Sequence, residues 1–347
     1  MSNSAKLIDI LKKRNEVFIC GPSFGAREGN AGTETHLRVY AYGGYIAGIP
    51  TTKNGGVKRF SKTYVKYAND KSAVESILNA DKKDVYGKYI ENIEAVLEMV
   101  RNRYISESGE KALERNQQSF IANKFMQITG ESMRSICECE CCMPNEWYKW
   151  GLDALKNDLK FKNNAYICSR DVKKPEFDFI MIELPENEDG RAGICLIELK
   201  TDIASCREIK GEKRSKTGKK TTMSDLKGHA IDMLAAEHCS LDGEGNIFVK
   251  EILRRYRIMC DPVHGLMDAP PARLTELIDH FRHAPDKVDI KKCFLFVGKE
   301  LSKEFVVEQC RSQLSQLGIE DMYFLRVDKK EDVDLGKFRK WDEFCKL

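Results

Sequence analysis

The sequence lacks the features that mark membrane, secreted, fibrous or repetitive proteins. No apolar run approaches the length of a membrane span, and no apolar signal region precedes a cleavage site near the N-terminus. Low-complexity stretches and repeats of solenoid period are also missing. We therefore expect a globular, cytoplasmic protein that makes no membrane contact.

A large net charge of either sign is absent as well. The 57 Lys and Arg residues against 54 Asp and Glu residues leave a formal net charge of +3, which is too small for bulk charge to indicate a nucleic-acid partner. Any basic surface must therefore be local. The 13 cysteines are an odd number in a long chain without an export signal, so we expect reduced thiols rather than disulfides.

The chain is long enough for two domains, because 347 residues with 42% hydrophobic composition can bury more than one core. Residues 1–105 predict an α+β lobe with a role in recognition or regulation, and the pattern leaves its fold open. Its elements are a helix at Ala5–Lys13, a strand at Glu16–Cys20, an extended stretch at Leu37–Ile49 and helical periodicity over Ser72–Tyr104.

Residues 106–347 predict an α/β domain with a central mixed sheet flanked by helices, because strand and helix patterns alternate there. The region that holds the cysteine cluster, Trp147 and Trp150 is predicted to be linker-like. The predicted strands are Ala165–Ser169, Phe177–Leu184, Gly193–Lys200, Cys293–Val297 and Met322–Val327, and the predicted helices are Glu110–Met126, Met223–His238, Val249–Arg257, Pro271–Arg282 and Ser302–Leu317.

Two neighbouring predicted strands carry the most informative residues. Asp178 lies in the first strand, and Glu198 and Lys200 end the second. Because side chains at i and i+2 share one face of a strand, Glu198 and Lys200 project together beside Asp178. Two carboxylates suit Mg²⁺, and a lysine can orient or help deprotonate an attacking water. The alternative is that Glu198 and Lys200 only mark where a buried strand reaches solvent.

Asp178, Glu198 and Lys200, in this order and spacing, resemble the motif of the PD-(D/E)XK nuclease superfamily, which has the restriction-endonuclease-like fold. The resemblance implies that Asp178 and Glu198 bind Mg²⁺, with Mn²⁺ as a substitute, and that the backbone carbonyl of Leu199 adds a ligand. It also implies that Lys200 positions the water. The similarity covers about Glu110–Val327 and leaves out the N-terminal lobe.

The resemblance further implies a glutamate on the preceding helix and a polar residue on the following one. Glu114 falls inside an apolar arc of the first helix and is the predicted site residue. The alternative is that its side chain forms a hydrogen bond with a buried backbone group or reaches solvent. On the second helix Lys227 lies among apolar residues, whereas Asp225, His229 and Asp232 share the predicted solvent side. We therefore select Lys227 rather than His229 as catalytic support.

A basic loop lies between the strand of Glu198 and the helix of Lys227. A charge run is usually a solvated loop, but one that directly follows a metal site is well placed to bind a phosphate backbone. The residues predicted to contact nucleic acid are Lys210, Lys213, Arg214, Lys216, Lys219 and Lys220.

Two other signals carry less weight. The four cysteines within six positions are too crowded for the separated pairs that zinc sites use, so a reduced cysteine-rich turn is preferred to a metal site. The strand before Gly21 could open a nucleotide-binding domain, but its glycines match no phosphate-binding pattern. The clustered cysteines are Cys137, Cys139, Cys141 and Cys142.

Together these observations predict a metal-dependent endonuclease that hydrolyses phosphodiester bonds, with DNA preferred to RNA. The resemblance adds a role in bacterial phage defence, with a second copy of the chain or a defence-system protein as partner. Two alternatives stay open. The chain could be a catalytically idle nucleic-acid-binding or interaction module on the same fold, or its N-terminal lobe could process nucleotides.

Overall fold

Within its described residues, the computed structural model contains two larger β-sheets with helices around them, and two short hairpins. No helix in the described part of the chain is both long and apolar enough to cross a membrane. The structure describes residues 3–14, 16–20, 36–42, 44–50, 56–106, 114, 117–118, 120–121, 135–171, 175–183, 192–207, 213–214, 220–221, 226–241, 245–260 and 288–346.

The N-terminal region forms an antiparallel four-stranded sheet with helices, which confirms the predicted α+β composition. The predicted helical stretch Ser72–Tyr104 is divided, because the backbone of Ala80 is extended and ends the first helix. The strands are β1 Val17–Cys20, β2 His36–Ala41, β3 Gly44–Pro50 and β4 Lys58–Arg59, and the helices are α1 Asn3–Lys12, α2 Lys71–Asn79 and α3 Val85–Ser106.

The remainder of the chain contains a six-stranded mixed sheet, as the sequence predicts. In spatial order its strands are β14 Arg339–Lys340, β13 Met322–Val327, β12 Val288–Val297, β7 Ala192–Lys200, β6 Glu176–Glu183 and β5 Ser135–Cys142. The pairs β7–β12 and β12–β13 are parallel, and the other pairs are antiparallel.

Helices and two hairpins connect these strands. Positions 114, 117, 118, 120 and 121 are also helical, and we call this segment the Glu114 helix. The hairpins pair β8 Lys213–Arg214 with β9 Lys220–Thr221, and β10 Ser240–Leu241 with β11 Gly245–Asn246. The helices are α4 Asn145–Asn157, α5 Ala165–Cys168, α6 Ile203–Cys206, α7 Leu226–Glu237, α8 Ile247–Cys260, α9 Lys303–Leu314 and α10 Trp341–Lys346.

The central strand β7 is buried on both faces, which explains its nearly continuous apolar sequence. Ile194 and Leu196 belong to the larger hydrophobic core, which also contains buried residues of α4, α7 and α9. Ile197 and Leu199 belong to a second core, which includes Ile121 of the Glu114 helix. The polar residues at the end of β7 therefore lie in a well-packed part of the sheet.

The predicted strand at Ala165–Ser169 is wrong, because residues Ala165–Cys168 form the short helix α5. The side chain of Asn164 accepts hydrogen bonds from the backbone N–H groups of Tyr166 and Ile167. An asparagine cap of this kind favours a helical turn over the extended conformation that aromatic and β-branched residues prefer.

The predicted linker around the cysteine cluster is also wrong. Ser135–Cys142 forms the edge strand β5, and the alternation of Cys and Glu in this segment is a period-two pattern typical of a strand. The tryptophans Trp147 and Trp150 lie on α4, whose buried residues include Tyr148. The predicted helix Pro271–Arg282 and most of Glu110–Met126 lie outside the described residues.

A close helix contact provides a stability test of this packing. A Cβ atom at Gly151 of α4 would lie 1.9 Å from the backbone carbonyl oxygen of Ala235 in α7. Gly151→Ala should therefore lower the free energy of unfolding by about 1–3 kcal/mol, because α4 and α7 must separate. Chemical denaturation followed by circular dichroism measures this change.

Gly87 in α3 is the matched control, because a Cβ there would meet no atom within 4 Å. Gly87→Ala should be neutral or stabilise the protein by up to about 1 kcal/mol, since alanine favours helix over glycine. Equal effects of the two substitutions would contradict the close contact between α4 and α7.

Candidate active site

The three motif residues meet at the paired ends of β6 and β7. The antiparallel register pairs Phe179 with Ile197, and one further step brings Asp178 opposite Glu198. Residues directly opposite in an antiparallel pair share a face of the sheet. Lys200 lies two positions beyond Glu198 on the same face. The sequence prediction that these side chains project together is therefore confirmed.

Direct contacts connect the motif residues. The Lys200 Nζ atom lies 2.8 Å from Oε1 of Glu198, and the backbone N–H of Leu199 donates to Oδ2 of Asp178 at 2.7 Å. Glu198 and Lys200 are only 4% and 5% exposed. The alternative in which β7 simply reaches solvent here is therefore wrong. The Leu199 contact uses its N–H group, and the predicted ligand role of its carbonyl stays a prediction.

The Glu114 helix packs against this end of β6. Gln118 donates from Nε2 to the backbone carbonyl of Asp178 at 3.1 Å, and Ile121 is fully buried. Glu114 lies close enough to raise the pKa of Asp178 by electrostatic repulsion. The side-chain oxygen of Gln117 on the same helix is buried and has no hydrogen-bond partner among the described residues. The structure thus brings Glu114 to the site, as the sequence predicts.

The electrostatic environment shifts the pKa values of the two carboxylates in opposite directions. Burial, reinforced by Glu198 and Glu114, raises the pKa of Asp178 well above its usual range. Burial alone would also raise the pKa of Glu198, but His229 and Lys200 outweigh it and lower that pKa to about 2. Burial would lower the pKa of Lys200, but the attraction of Glu198 and Asp178 raises it. Glu198 and Lys200 therefore form a charged pair.

His229 is a site residue that the sequence prediction assigned to the solvent side. Its Nε2 atom lies 2.9 Å from Oε1 of Glu198, the oxygen that also contacts Lys200. Burial lowers the pKa of His229 even though Glu198 opposes the shift, so the imidazole is neutral near pH 7. A neutral imidazole donates a hydrogen bond to Glu198, and the full positive charge beside Glu198 belongs to Lys200.

Lys227 lies on the packed side of α7, as the helix pattern predicts, because it is buried among apolar residues. Its Nζ atom lies 3.5 Å from the centre of the Tyr166 ring, a cation–π contact. The predicted solvent position of Asp232 is wrong, because that residue is 2% exposed, and Asp225 lies outside the described residues. The structure therefore brings His229, and not Lys227, into contact with Glu198.

A buried polar network explains the orientation of α7. Tyr148 of α4 donates its hydroxyl to Oδ1 of Asp232 at 2.6 Å, and Arg170 contacts the same oxygen at 3.0 Å. Arg170 also donates to the backbone carbonyl of Gly228 at 3.1 Å. These bonds tie α7 to α4 and to the segment after α5, and they set the rotation that directs His229 toward Glu198.

The donor set of the site fits a hard divalent cation. Among the described residues, no group of three or more His, Cys, Asp and Glu side chains is arranged to hold a metal ion. Mg²⁺, however, usually takes one or two carboxylates and keeps several waters. Asp178 and Glu198 supply two carboxylates, and the raised pKa of Asp178 reflects burial first and then the nearby negative charges of Glu198 and Glu114. A bound cation would neutralise these charges.

The structure describes only part of the basic loop and of the cysteine cluster. Lys213–Arg214 and Lys220–Thr221 pair as the hairpin β8–β9, so part of the basic loop has regular structure. Lys210, Lys216 and Lys219 lie outside the described residues, as does Gly21. The backbone of the cysteine cluster is strand β5 rather than a turn, and its side chains lie outside the description.

The pKa values of Asp178 and Glu198 shift in opposite directions. In the absence of metal, replacing each carboxylate by its uncharged amide should therefore have opposite effects on the free energy of unfolding. In EDTA at pH 7, Asp178→Asn should leave the free energy of unfolding unchanged or raise it. A carboxyl whose pKa is raised in the folded state lowers stability at pH values above its usual pKa, and the substitution removes this cost. Glu198→Gln should lower it by about 3–5 kcal/mol, because Lys200 then lacks its buried counter-charge. Urea denaturation followed by circular dichroism measures both.

The pH dependence of the free energy of unfolding should also differ between the two carboxylates. Glu198 stabilises the fold at pH values above its usual pKa of 4.5, and this contribution should be lost as the pH falls toward about 2. Asp153→Asn, at an exposed position of α4, is the control and should change stability by less than about 0.5 kcal/mol. Equal destabilisation by the Asp178 and Glu198 substitutions would contradict the assigned charge states.

Comparisons of the chain with protein-family models, with curated proteins and with solved structures find no match. The interpretation of the site therefore depends on its own residues. These are two opposed carboxylates and a buried lysine at the ends of β6 and β7, a histidine on α7 and a glutamate on the Glu114 helix.

Proposed function

We propose that the chain is a metal-dependent nuclease that hydrolyses phosphodiester bonds, with Mg²⁺ as cofactor, Mn²⁺ as a substitute and DNA preferred to RNA. The observation that carries this proposal is the excess of carboxylate over ammonium where β6, β7 and the Glu114 helix meet. Asp178 is acted on by the carboxylates of Glu198 and Glu114 and by one ammonium, that of Lys200. Carboxylates in this proportion, of which Glu198 is buried, are stabilised by a cation.

The charge state of Lys200 limits the role that it can have in hydrolysis. Its raised pKa favours the ammonium form, so Lys200 would donate hydrogen bonds to a water or a phosphate oxygen rather than accept a proton. Asp178 and Glu198 would hold the divalent cation, which when bound would stabilise the charge that develops on the phosphate. Glu114 would support Asp178 from the adjoining helix. Lys227 would support the site from α7, where its ammonium contacts the Tyr166 ring.

The topology is compatible with a restriction-endonuclease-like core, which we include in the proposal. Supporting features are the mixed sheet, the antiparallel β6–β7 pair that carries the motif and the parallel strands β12 and β13 beyond it. A helix that packs near Asp178 and a helix that follows β7 complete the similarity. The resemblance extends the proposal to bacterial phage defence, with the N-terminal region recognising a target or regulating cleavage.

Cleavage by the purified full-length chain tests the proposal. Plasmid DNA and RNA should be cut with Mg²⁺ or Mn²⁺ and left intact with EDTA, with DNA cut faster. Asp178→Ala and Glu198→Ala should each abolish cleavage, and the double variant should be little worse, because metal ligands act as a set. Gel electrophoresis of timed reactions measures the rates.

Asp153→Ala is the matched control, since this carboxylate is exposed on α4 and pairs only with Lys149 in the described part of the chain. It should cleave at the wild-type rate. Full activity of either site variant would remove the metal-site assignment. Nucleic-acid binding without any cleavage under these conditions would favour the idle binding module instead.

The basic hairpin provides a separate prediction about substrate binding. Changing Lys213, Arg214, Lys216, Lys219 and Lys220 together to Ala should weaken binding to all sequences alike and flatten its salt dependence, because phosphate contacts release counterions without reading bases. Cleavage at saturating substrate should persist. Fluorescence anisotropy with labelled duplexes at several salt concentrations measures the slope, and an unchanged slope would make the segment a solvated loop.

A further inference from the structure

The two oxygens of the Glu198 carboxylate have different surroundings. Oε1 lies 2.8 Å from Nζ of Lys200 and 2.9 Å from Nε2 of His229. Oε2 accepts no hydrogen bond from any residue within the described ranges. Two donors on one oxygen and none on the other fix the carboxylate plane, because rotation would break both contacts at once.

The two donors approach Oε1 from different elements. Lys200 belongs to the same strand as Glu198, whereas His229 belongs to α7, which packs over this face of the sheet. A lysine ammonium on a flexible stem fixes direction poorly by itself. A histidine ring on a packed helix restricts the carboxylate more strongly, since the ring has only two side-chain torsions.

The position of α7 is itself closely constrained. Gly151 permits its close approach to α4, and the Tyr148, Arg170 and Asp232 network fixes its rotation. The side chain of His229 is only 15% exposed. These contacts hold the imidazole at Glu198 on a rigid support, which a ligand-orienting group requires.

We propose that His229 is a positioning residue that, together with Lys200, holds Oε1 of Glu198 and thereby directs Oε2 toward the divalent cation. The inference deepens the proposed function and rests on it. It assigns to His229 the outer hydrogen bond that commonly orients a carboxylate ligand. It also assigns cation binding at Glu198 to a single oxygen, Oε2.

Titration of Mn²⁺ alone into the full-length protein, by calorimetry, tests this role without any turnover. His229→Ala should weaken Mn²⁺ binding by about ten- to a hundredfold, the usual effect of losing a group that orients a metal ligand. His229→Gln should restore most of the affinity, because the Gln side-chain amide can donate from a similar distance. Circular dichroism and thermal unfolding confirm that each variant is folded.

His238→Gln is the matched control, because His238 follows the same helix but contacts the carbonyl of Leu234 and lies near Asp158. It should bind Mn²⁺ as the wild type does. In cleavage assays His229→Ala should require more Mn²⁺ for half-maximal rate and recover much of the rate at saturating Mn²⁺. A loss that saturating Mn²⁺ does not relieve would overturn the positioning role.

The outcomes separate this inference from the proposed function. If the wild type binds Mn²⁺ and folded His229→Ala binds it equally well, the role of His229 is refuted and the metal site stands. If His229→Gln is as weak as His229→Ala, the hydrogen bond is not the cause and the inference is also refuted. If the wild type binds no Mn²⁺, the metal site of the proposed function fails, and the inference fails with it.

Discussion

The antiparallel pairing of β6 with β7 places Asp178 opposite Glu198 in a buried part of the sheet, and this pairing is the constraint on which the site depends. Two carboxylates in direct opposition repel each other, and burial increases the cost of both charges. Lys200, the Leu199 N–H group and His229 each contact one of the two carboxylates. These contacts favour a charged Glu198, whereas burial and the neighbouring carboxylates raise the pKa of Asp178 despite its bond from Leu199.

A site with two opposed carboxylates needs rigid surroundings, and the packing of the helices provides them. Tyr148, Arg170 and Asp232 form a buried network between α4, the segment after α5 and α7. Breaking one member would leave the others buried without full hydrogen bonding, which makes such networks strong determinants of geometry. The network lies about one helical turn from His229, so it acts on the site through the orientation of α7.

The helix α7 shows where pattern-based reasoning stops being informative. A helical wheel separates a polar face from an apolar face only when one side of the helix meets solvent. Nearly every residue from Leu226 to Ala236 is buried, so α7 has no solvent side from which to measure its rotation. Its polar residues Lys227, His229 and Asp232 each reach a different partner, namely Tyr166, Glu198 and the Tyr148–Arg170 pair.

The sequence by itself determined the strand pattern of β6 and β7, and with it the convergence of Asp178, Glu198 and Lys200, because strand alternation places i and i+2 on one face in any sheet. It also determined that Glu114 lies on the inner side of its helix. Only the tertiary structure decided that Asn164 starts a helix at α5, that the cysteines form an edge strand and that His229 reaches Glu198. The last two outcomes depend on strand neighbours and helix rotation, which arise from contacts between residues far apart in the chain. The Asn164 cap is local, but the same side chain also donates to the distant backbone carbonyl of Gln316 at 2.9 Å.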